Sequence, residues 1–480
     1  MSSETLDGGA VAAPSAPAAT DNTGRLPLGI KFSWATGAFG VAILTNSVSG
    51  LILYYLTTIV GISGWIAGLL LMISKLYDAF SDPIAGWMSD RLQSPQGRRR
   101  PFLLWGALLS AVTLVLVFTV PFRGDTIWVW AYVLTVHIFY TTGYSTFNVP
   151  YMAMAPEMTD NYHERSDLQG WRVMFASAGG AVAGLGSGLI LAWLGEKGAD
   201  GRTINDAFDY GVLGVLYGFL VLVSMLIAWR GTRNAKFQVK SKTVLPWKLQ
   251  ASSFLSNVPA LLILGVKGVQ LIGIASAGAA TFFLVIGVLG RSPAQMPLIG
   301  LPSMIVAIFL TPFLARLSKK IGKRAGYLIG AIATAIGSMS WILATPDEPI
   351  YFLVLRGIIM GVAFSANVMF GMSMLNDAME LDAHRTGMRR EGLYAAFYSF
   401  VEKFGYALGP AAVGAALSIA GFDKAARVTA ENYDAVRQAS LLGVSYIPTG
   451  CAIIAVILLS VYNLNEAKLA EARANTKLVE

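Results

Sequence analysis

The chain has 480 residues, of which 55% are hydrophobic and 13% are charged, and its mean hydropathy is +0.58. This composition excludes a water-soluble globular protein and indicates a protein embedded in a membrane. The net charge of +8 does not indicate nucleic-acid binding, because the basic residues lie in loops between apolar segments and not on a soluble domain.

Residues 1–30 are rich in Ala, Ser, Pro, Gly and Thr and contain no apolar core, so we expect a disordered tail and not a signal peptide. After this tail, about twelve apolar stretches have the roughly 20 residues that a helix needs to cross about 30 Å of hydrocarbon. No segment has the alternation of a membrane β-barrel strand. The sequence predicts an all-α membrane protein with twelve transmembrane helices, near 32–58, 62–90, 102–121, 126–156, 168–194, 208–230, 258–288, 296–316, 325–344, 349–376, 392–420 and 440–464.

The second stretch carries two carboxylates in an otherwise apolar run. It reads LYDAFSDPIAGW, and Asp78 and Asp82 lie four residues apart, the spacing that places side chains on one helix face. A buried ionised carboxylate is costly unless something pairs with it, and charged residues at membrane depth mark ion or proton pathways. The pair predicts a site that shares a proton or binds a monovalent cation. A structural salt bridge to Lys75 or Arg172 is the alternative.

Basic residues collect in every second loop, while the alternate loops, such as 195–209 and 345–349, are mixed or acidic. By the positive-inside rule, the basic loops face the cytoplasm, and an even number of helices places both termini there too. The basic residues are Arg91, Arg98, Arg99 and Arg100; Arg230, Arg233, Lys236, Lys240, Lys242 and Lys248; and Arg316, Lys319, Lys320, Lys323 and Arg324.

A weak repeat divides the chain into two halves. The loop SDRLQSPQGRRRP after the second stretch is similar to LARLSKKIGKRAG after the eighth, and the longest basic connection lies between them. Internal repeats of this kind are typical of secondary transporters. We predict six-helix bundles at residues 31–230 and 258–465, a cytoplasmic linker at 231–257 and a cytoplasmic tail at 466–480.

Several motifs resemble those of a known transporter family. GWMSDRLQSPQGRRR is similar to the signature loop of the major facilitator superfamily, in which an acidic residue and arginines, here Asp90 and Arg91, brace the cytoplasmic junction of helices two and three. More narrowly, both halves resemble the glycoside-pentoside-hexuronide:cation symporters. The segments that carry this resemblance are KFSWATGAFG at 31–40, YYLTTIVGIS at 54–63, YDAFSDPIAGW at 77–87, GRRRPFLLWG at 97–106, TFNVPYMAMAPEMT at 146–159, LNDAMELDA at 375–383 and EGLYAAFYSFVEKFG at 391–405.

The resemblance implies a major facilitator fold in a bacterial inner membrane. It implies secondary active symport of H⁺ or Na⁺ with a sugar, glycoside or hexuronate by alternating access, with no cofactor beyond the coupling ion. The expected partners are the substrate and the lipid bilayer, and the expected state is a monomer. An amphiphile or lysolipid carrier is the alternative, because EGLYAAFYSFVEKFG also resembles lysophospholipid transporters. A membrane enzyme is not expected, because three histidines and one cysteine, scattered along the chain, form no catalytic or metal cluster.

The resemblance also implies roles for residues of the cation site. The positions that match Asp78 and Asp82 coordinate the coupling ion in the family, and Ser145 matches a hydroxyl ligand. Ser81 stands where the melibiose carrier of this family has an Asn, and Asn148 stands where it has a third carboxylate. A serine is a weaker oxygen ligand and an amide supplies no charge, so the choice between H⁺ and Na⁺ stays open.

On the substrate side, Arg172 matches the family's substrate-site arginine, and Lys403 matches a lysine that reaches toward its cation site. Ala42 stands where the family has an aspartate that grips galactoside hydroxyls, so a galactoside is not expected. Glu402 replaces an expected apolar residue, and it either faces the cavity or pairs with a neighbouring helix. Aromatic side chains here either stack on a sugar ring or pack in the bundle. The candidate substrate-binding residues are Arg172, Lys403, Tyr144, Asn148, Trp171 and Glu402.

Acidic residues near the cytoplasmic end of the tenth stretch predict an inner gate. Asp377 and Glu380 would pair with Arg165 and the loop arginines in one state, beside Asp90 and Arg91 of the signature loop. The alternative is a solvated helix end with no gating role.

Overall fold

A computed structural model describes residues 26–92, 94, 97–159, 162–197, 203–233, 235, 256–386, 391–422, 428–429 and 431–475. These residues are almost entirely helical. A first group of helices comprises α1 (Leu28–Tyr54), α2 (Gly64–Arg91), α3 (Arg100–Phe118), α4 (Ile127–Met158), α5 (Tyr162–Leu194) and α6 (Ala207–Gly231), with a short antiparallel hairpin of β1 (Glu196–Lys197) and β2 (Thr203–Ile204) before α6. A second group comprises α7 (Val258–Phe282), α8 (Pro297–Ile321), α9 (Lys323–Met339), α10 (Tyr351–Thr386), α11 (Glu391–Ile419), α12 (Tyr433–Leu441), α13 (Ile447–Val461) and α14 (Glu466–Asn475).

Several helices change geometry near their ends. α1 continues as a π-helix over Tyr55–Val60 and stops at Gly61, whose φ of 84° is the left-handed conformation that favours glycine. Further π-helical turns follow α7, over Phe283–Val288, and join α12 to α13, over Leu442–Tyr446. The long α12–α13 segment is therefore one continuous helical path across the bundle.

Nine helical segments among the described residues are long and apolar enough to cross a membrane. They are α1, α3, the helices from α5 to α10, and the α12–α13 segment. Although α2, α4 and α11 have 28, 32 and 29 residues, they are not among the nine. These three helices carry the charged and polar residues of the predicted cation site. An all-helical membrane protein is therefore confirmed, and the number of twelve crossings stays a prediction.

The helices pack mainly on members of their own group. α1 packs on α5 and α6, α3 packs on α4 and α6, and α2 packs on α4. In the second group, α7 packs on α11 and α13, α8 packs on α10, and α9 packs on α10 and α13. The two groups meet where α2 contacts α11, α1 contacts α7, and α5 contacts α8. The α2–α11 contact brings together the helices that carry most of the predicted charges.

One end of the α2–α11 contact is a close approach of two backbones. A Cβ atom on Gly64 would lie 2.6 Å from the carbonyl oxygen of Gly414, and one on Gly68 would lie 2.9 Å from Cα of Ala411. These distances are shorter than any side chain tolerates, so glycine is required for the contact. We call Gly64, Gly68, Ala411 and Gly414 the glycine seam. It lies at the end of the bundle away from the basic loop that follows α2.

Candidate functional site

Asp78 and Asp82 of α2 face Lys403 of α11. The Lys403 ammonium pairs with Oδ2 of Asp82, lies 3.4 Å from Oδ1 of Asp78, and donates to the main-chain carbonyl oxygen of Asp78 at 2.6 Å. Asp78 is 3% exposed, and the side chain of Lys403 is 11% exposed. We call these three residues the charge cluster. A cation from the second group of helices thus bridges two carboxylates of the first.

Hydroxyl groups from α2 and α4 surround Asp78. Oγ of Ser145 donates to Oδ1 of Asp78 at 3.2 Å and lies 2.7 Å from Oγ of Ser81. Lys75 Nζ lies 3.9 Å from Oδ2 of Asp78, at the limit of an ion pair. Oδ1 of Asp82 is buried and has no hydrogen-bond partner among the described residues. The site therefore offers hard oxygen ligands, one of them unpaired, to a proton or a small cation.

Glu402 lies beside Lys403 in a second charged region. Lys267 of α7 and Lys75 of α2 are the other charged side chains near it. Within the described residues Glu402 has no ion pair closer than 4 Å and no hydrogen bond. Whether Glu402 faces the cavity or pairs with a neighbouring helix, and whether it binds substrate, stay predictions.

A cavity of about 420 Å³ lies between α1, α4 and α5. This volume is within the range of small-molecule binding sites. Arg172 is the only ionised side chain among the described residues of the wall, and its Nη1 donates to Oε1 of Gln169 at 2.9 Å. The wall is formed by Ala38, Val41, Ala42, Thr45, Asn46, Asn148, Tyr151, Arg172, Val173, Ala176, Ser177 and Gly180.

Asn148 connects this cavity to the charge cluster. Its side chain lines the wall, and its Nδ2 donates to the hydroxyl of Tyr144 at 3.1 Å. Ser145, the residue after Tyr144 on α4, donates to Asp78 of the charge cluster. The polar side chains of the cavity wall and those of the charge cluster therefore lie on the same stretch of α4.

The other predicted substrate-binding residues lie outside this wall. Trp171 packs against Phe32 and Phe175, with ring centroids 6.5 and 6.4 Å away. Lys403 is held by the two aspartates, and Glu402 lies next to it on α11. Contact of these three predicted residues with a substrate stays a prediction.

Among the described residues, each ion pair at the basic-loop end lies within one group of helices. Arg99 lies 2.9 Å from Asp90 and 2.7 Å from Glu157, and Arg98 lies 2.5 Å from Glu157. Burial by itself lowers the pKa of the Arg99 guanidinium, but the hydrogen bonds and charges of Glu157 and Asp90 outweigh it and raise that pKa above its ordinary value. Arg91 instead lies over the Trp87 ring, 4.2 Å from its centroid.

The acidic residues of α10 have partners in the second group. Asp377 lies 2.7 Å from Nζ of Lys323, and Glu380 lies 3.6 Å from Nε2 of His384. The side chain of Arg165 lies outside the described part of the structure. The inner gate between the two groups therefore stays a prediction.

Two polar residues of α1 in the cavity wall, Thr45 and Asn46, were not predicted from the sequence. They share one face of α1 with Ala42, at the spacing of three and four residues that a helix requires. Tyr151 and Ser177 were also missed. A polar amide inside an apolar helix was the signal that could have identified Asn46.

The sequence profile of the family described as MFS/sugar transport protein matches residues 33–466. The chain belongs to this family. It is therefore a membrane transporter and not an enzyme, as the sequence analysis predicted. With its membrane-spanning helices, it is a multi-pass protein of the bacterial plasma membrane.

Individual proteins are similar over most of the chain. An isoprimeverose transporter of Lactiplantibacillus pentosus is 25% identical over 462 residues, 95% of this chain and 93% of that protein. A putative glycoside/cation symporter of Escherichia coli (strain K12), YagG, is 26% identical over 407 residues, 84% and 85% of the two chains. The crystal structure of a bacterial homologue of the human lysosomal transporter Spinster has a TM-score of 0.62 at 16% identity, covering 94% and 98%. The structural match shows the fold, and these relatives do not favour the amphiphile alternative.

Proposed function

We propose that this transporter couples the movement of H⁺ or Na⁺ to that of a sugar or glycoside in the same direction. Similarity to an isoprimeverose transporter and to a putative glycoside/cation symporter supports both the substrate class and the coupling. The observation that carries the coupling is the Lys403 ammonium held between Asp78 and Asp82. It links the two groups of helices at a depth where an unpaired charge is costly.

Lys403 and the coupling cation compete for the same carboxylates. When H⁺ or Na⁺ binds to Asp78 or Asp82, it neutralises negative charge that otherwise holds the Lys403 ammonium. The attachment of α11 to α2 then weakens, and the two groups of helices can change their relative position. Ser81 and Ser145 supply further oxygen ligands to the cation. Because ion and substrate bias the same equilibrium between states, each increases the affinity for the other by the same factor.

The substrate occupies the cavity between α1, α4 and α5 in this proposal. Arg172 and Asn148 contact it directly, and Tyr144 transmits its presence to the charge cluster through the Asn148 amide. The hydroxyl, amide and guanidinium groups set in a partly apolar wall, and the volume of about 420 Å³, support a sugar-sized ligand. Trp171 and Glu402 contribute to binding in a second conformation of the transporter.

We also propose that α2, α4 and α11 cross the membrane, which gives twelve crossings. At 1.5 Å per residue, the 28 residues of α2 extend about 42 Å, enough to span the hydrocarbon core. The basic loops then place both termini in the cytoplasm. The helices form six-helix bundles at residues 31–230 and 258–465, with the glycine seam on the outer side, and the protein acts as a monomer.

Uptake into proteoliposomes tests the proposed function. A panel of labelled monosaccharides and glycosides is presented under an inward H⁺ gradient, an inward Na⁺ gradient, or neither. We expect accumulation of at least one compound under one gradient, and loss of accumulation when an ionophore dissipates that gradient. Liposomes without protein give the background. If no compound accumulates under either gradient, the proposal of cation-coupled sugar symport is wrong.

A further inference from the structure

A buried ion pair lies at the end of the second group of helices that is away from the basic loops. The guanidinium of Arg356, on the second turn of α10, donates from both Nη atoms to the carboxylate of Glu348, at 2.5 and 2.8 Å. The two side chains are 4% and 7% exposed. A two-point pairing of this kind is the strongest contact available to a guanidinium, and breaking it from one side leaves a buried charge without its partner.

This pair also holds the segment that follows α7. The Arg291 guanidinium donates to the main-chain carbonyl oxygen of Glu348. The main-chain N–H of Arg291 donates to the carbonyl oxygen of Val285, in the π-helical turn after α7, at 2.9 Å. Nη2 of Arg356 further donates to the carbonyl oxygen of Ser340, directly after α9, at 3.2 Å. We call Arg291, Glu348 and Arg356 the Glu348 cluster. It fixes the ends of α7, α9 and α10 relative to one another.

A 3₁₀ turn next to this cluster contacts the first group of helices. The turn, Pro293–Gln295, begins two residues after Arg291 and leads into α8. A Cβ atom on Gly188 of α5 would lie 2.5 Å from the carbonyl oxygen of Pro293. The two backbones therefore meet as closely as those of the glycine seam, and at the same end of the molecule. Because α5 belongs to the first group, this contact must separate when that end of the transporter opens.

We propose that the Glu348 cluster positions the 3₁₀ turn for closure of this end, by holding the backbone of Pro293 where it fits against Gly188. The three residues of the cluster lie outside the cavity wall and outside the charge cluster. The proposal rests on the proposed function only in taking alternating access by the two groups of helices, and it depends on no property of the substrate.

The need for positioning follows from the closeness of the contact. Interiors that are packed this tightly lose their contacts on small displacements. A loop that is not held in place must be ordered each time the end closes, and the loss of conformational freedom opposes closure. A loop that the cluster already holds avoids this cost. Loss of the cluster should therefore shift the equilibrium toward the state that is open at this end.

Labelling of a cysteine in the cavity tests the proposal with the full chain in proteoliposomes. The reporter is Ser177→Cys in a Cys451→Ala background, and a membrane-impermeant maleimide is supplied on the side of the glycine seam. Glu348→Gln keeps the size of the side chain and removes its charge. It should speed labelling from this side by about threefold to tenfold, the effect of weakening one charge-assisted contact, and should slow labelling from the basic-loop side. Asp347→Asn neutralises the exposed carboxylate next to it in the same loop and should leave both rates unchanged.

Two further variants distinguish positioning from general stability. Arg291→Met leaves the ion pair intact and removes only its connection to the loop, so it should speed labelling from the seam side as Glu348→Gln does. Gly188→Leu disrupts the backbone contact directly and should have the same effect. If the cluster acts through that contact, adding Glu348→Gln to Gly188→Leu should give no further increase. Size-exclusion profiles identify any variant that does not fold, and Arg291→Met replaces Glu348→Gln in the comparison if the latter does not.

The outcomes separate this inference from the proposed function. If Glu348→Gln and Arg291→Met label at the unmodified rate, or if their effects add in full to that of Gly188→Leu, the cluster only stabilises the fold and the proposal is wrong. Cation-coupled sugar symport stands in that case, because accumulation of substrate in proteoliposomes tests it independently.

Discussion

The contact between α2 and α11 has two regions of opposite chemistry. At the glycine seam, the backbones approach so closely that a Cβ atom on Gly64 would lie 2.6 Å from a carbonyl oxygen of α11, and no charge is involved. Ten residues after Gly68, about 15 Å along the helix, Asp78 begins the charge cluster. There the helices are joined by long side chains and by the opposite charges of Asp82 and Lys403.

The two regions therefore respond to different changes in the protein. The glycine seam depends on shape, so a binding event that changes only charge leaves it intact. The charge cluster depends on electrostatic balance, so one proton or Na⁺ changes it without any change of shape. We infer that the seam determines whether that end of the transporter can close and that the charge cluster determines when it opens.

Neutralising the carboxylates of the charge cluster has the largest expected effect. Asp82→Asn and, less strongly, Asp78→Asn should abolish gradient-driven accumulation, because the coupling cation loses its ligands. Substrate should still exchange across the membrane, since the cavity wall is unchanged. Protein levels should hold, because a buried amide costs less than an unpaired charge. Counterflow and concentrative uptake are measured in the same proteoliposomes.

The control for these variants is Asp347→Asn, which removes an exposed carboxylate from the loop before α10. It should accumulate substrate as the unmodified protein does. If both variants of the charge cluster also accumulate substrate against a gradient, the two aspartates are structural and the cation binds elsewhere.

Removing the lysine of the charge cluster should reduce stability as well as transport. Lys403→Ala leaves the buried carboxylate of Asp78 and the half-buried carboxylate of Asp82 without their cation, and breaking a buried ion pair from one side costs about 3–5 kcal/mol. Adding Asp78→Asn and Asp82→Asn to Lys403→Ala should restore most of this free energy of unfolding. Thermal unfolding in detergent measures it. If the triple variant is no more stable than Lys403→Ala, charge does not hold this region together.

Much of the fold could be predicted, because helices that cross a membrane are determined by local sequence. The predicted stretch at 62–90 corresponds to α2, and that at 392–420 corresponds to α11. The candidate cation residues were also identifiable, since charges inside apolar helices are rare. Asp78 and Lys403, 325 residues apart, are in contact in the structure. The periodicity of residues within one helix does not show which residue of another helix lies in contact with them. Only the family resemblance indicated that Lys403 approaches the cation site.

Features that depend on how helices pack could not be predicted. The glycines of the seam look in the sequence like any other glycine of an apolar helix, and contact between Gly68 and Ala411 requires the relative rotation of α2 and α11. Likewise, the neighbours of Trp171 are aromatic residues of α1 and α5, and helix packing alone makes them adjacent. Local patterns identify polar residues but do not determine which cavity they line.

Enlarging a residue of the glycine seam should act on conformation and not on coupling. In Gly68→Leu, the new Cβ atom would lie 2.9 Å from Cα of Ala411, which is too close for the present packing. Overpacking costs typically about 1–3 kcal/mol, so the state with the seam closed should lose roughly tenfold or more in population. The measurement uses Ser177→Cys, in the cavity, in a Cys451→Ala background. Adding Gly68→Leu should speed the reaction of this cysteine with a membrane-impermeant maleimide that is supplied on the seam side.

Gly50→Leu on α1 is the matched control, because nothing lies within 4 Å of a Cβ atom there. It should leave the reaction rate at Ser177→Cys unchanged. Equal rates in Gly68→Leu and Gly50→Leu would show that the seam does not close access to the cavity from that side.

The smallest effect is expected at the basic-loop end of α10, where the Lys323–Asp377 ion pair is partly exposed. Asp377 and Lys323 are 24% and 42% exposed in their side chains, and such pairs contribute about 0–1 kcal/mol each. If Asp377 and Glu380 close this end in another state by pairing with arginines of the first group, neutralising both should favour the state described here. Asp377→Asn with Glu380→Gln should then speed labelling of Ser177→Cys from the basic-loop side by a few-fold.

Lys323→Met removes a partner that Asp377 has in the present state, so it should slow that labelling. Opposite signs in the two variants distinguish a gate from a solvated helix end, for which both variants should label at the unmodified rate.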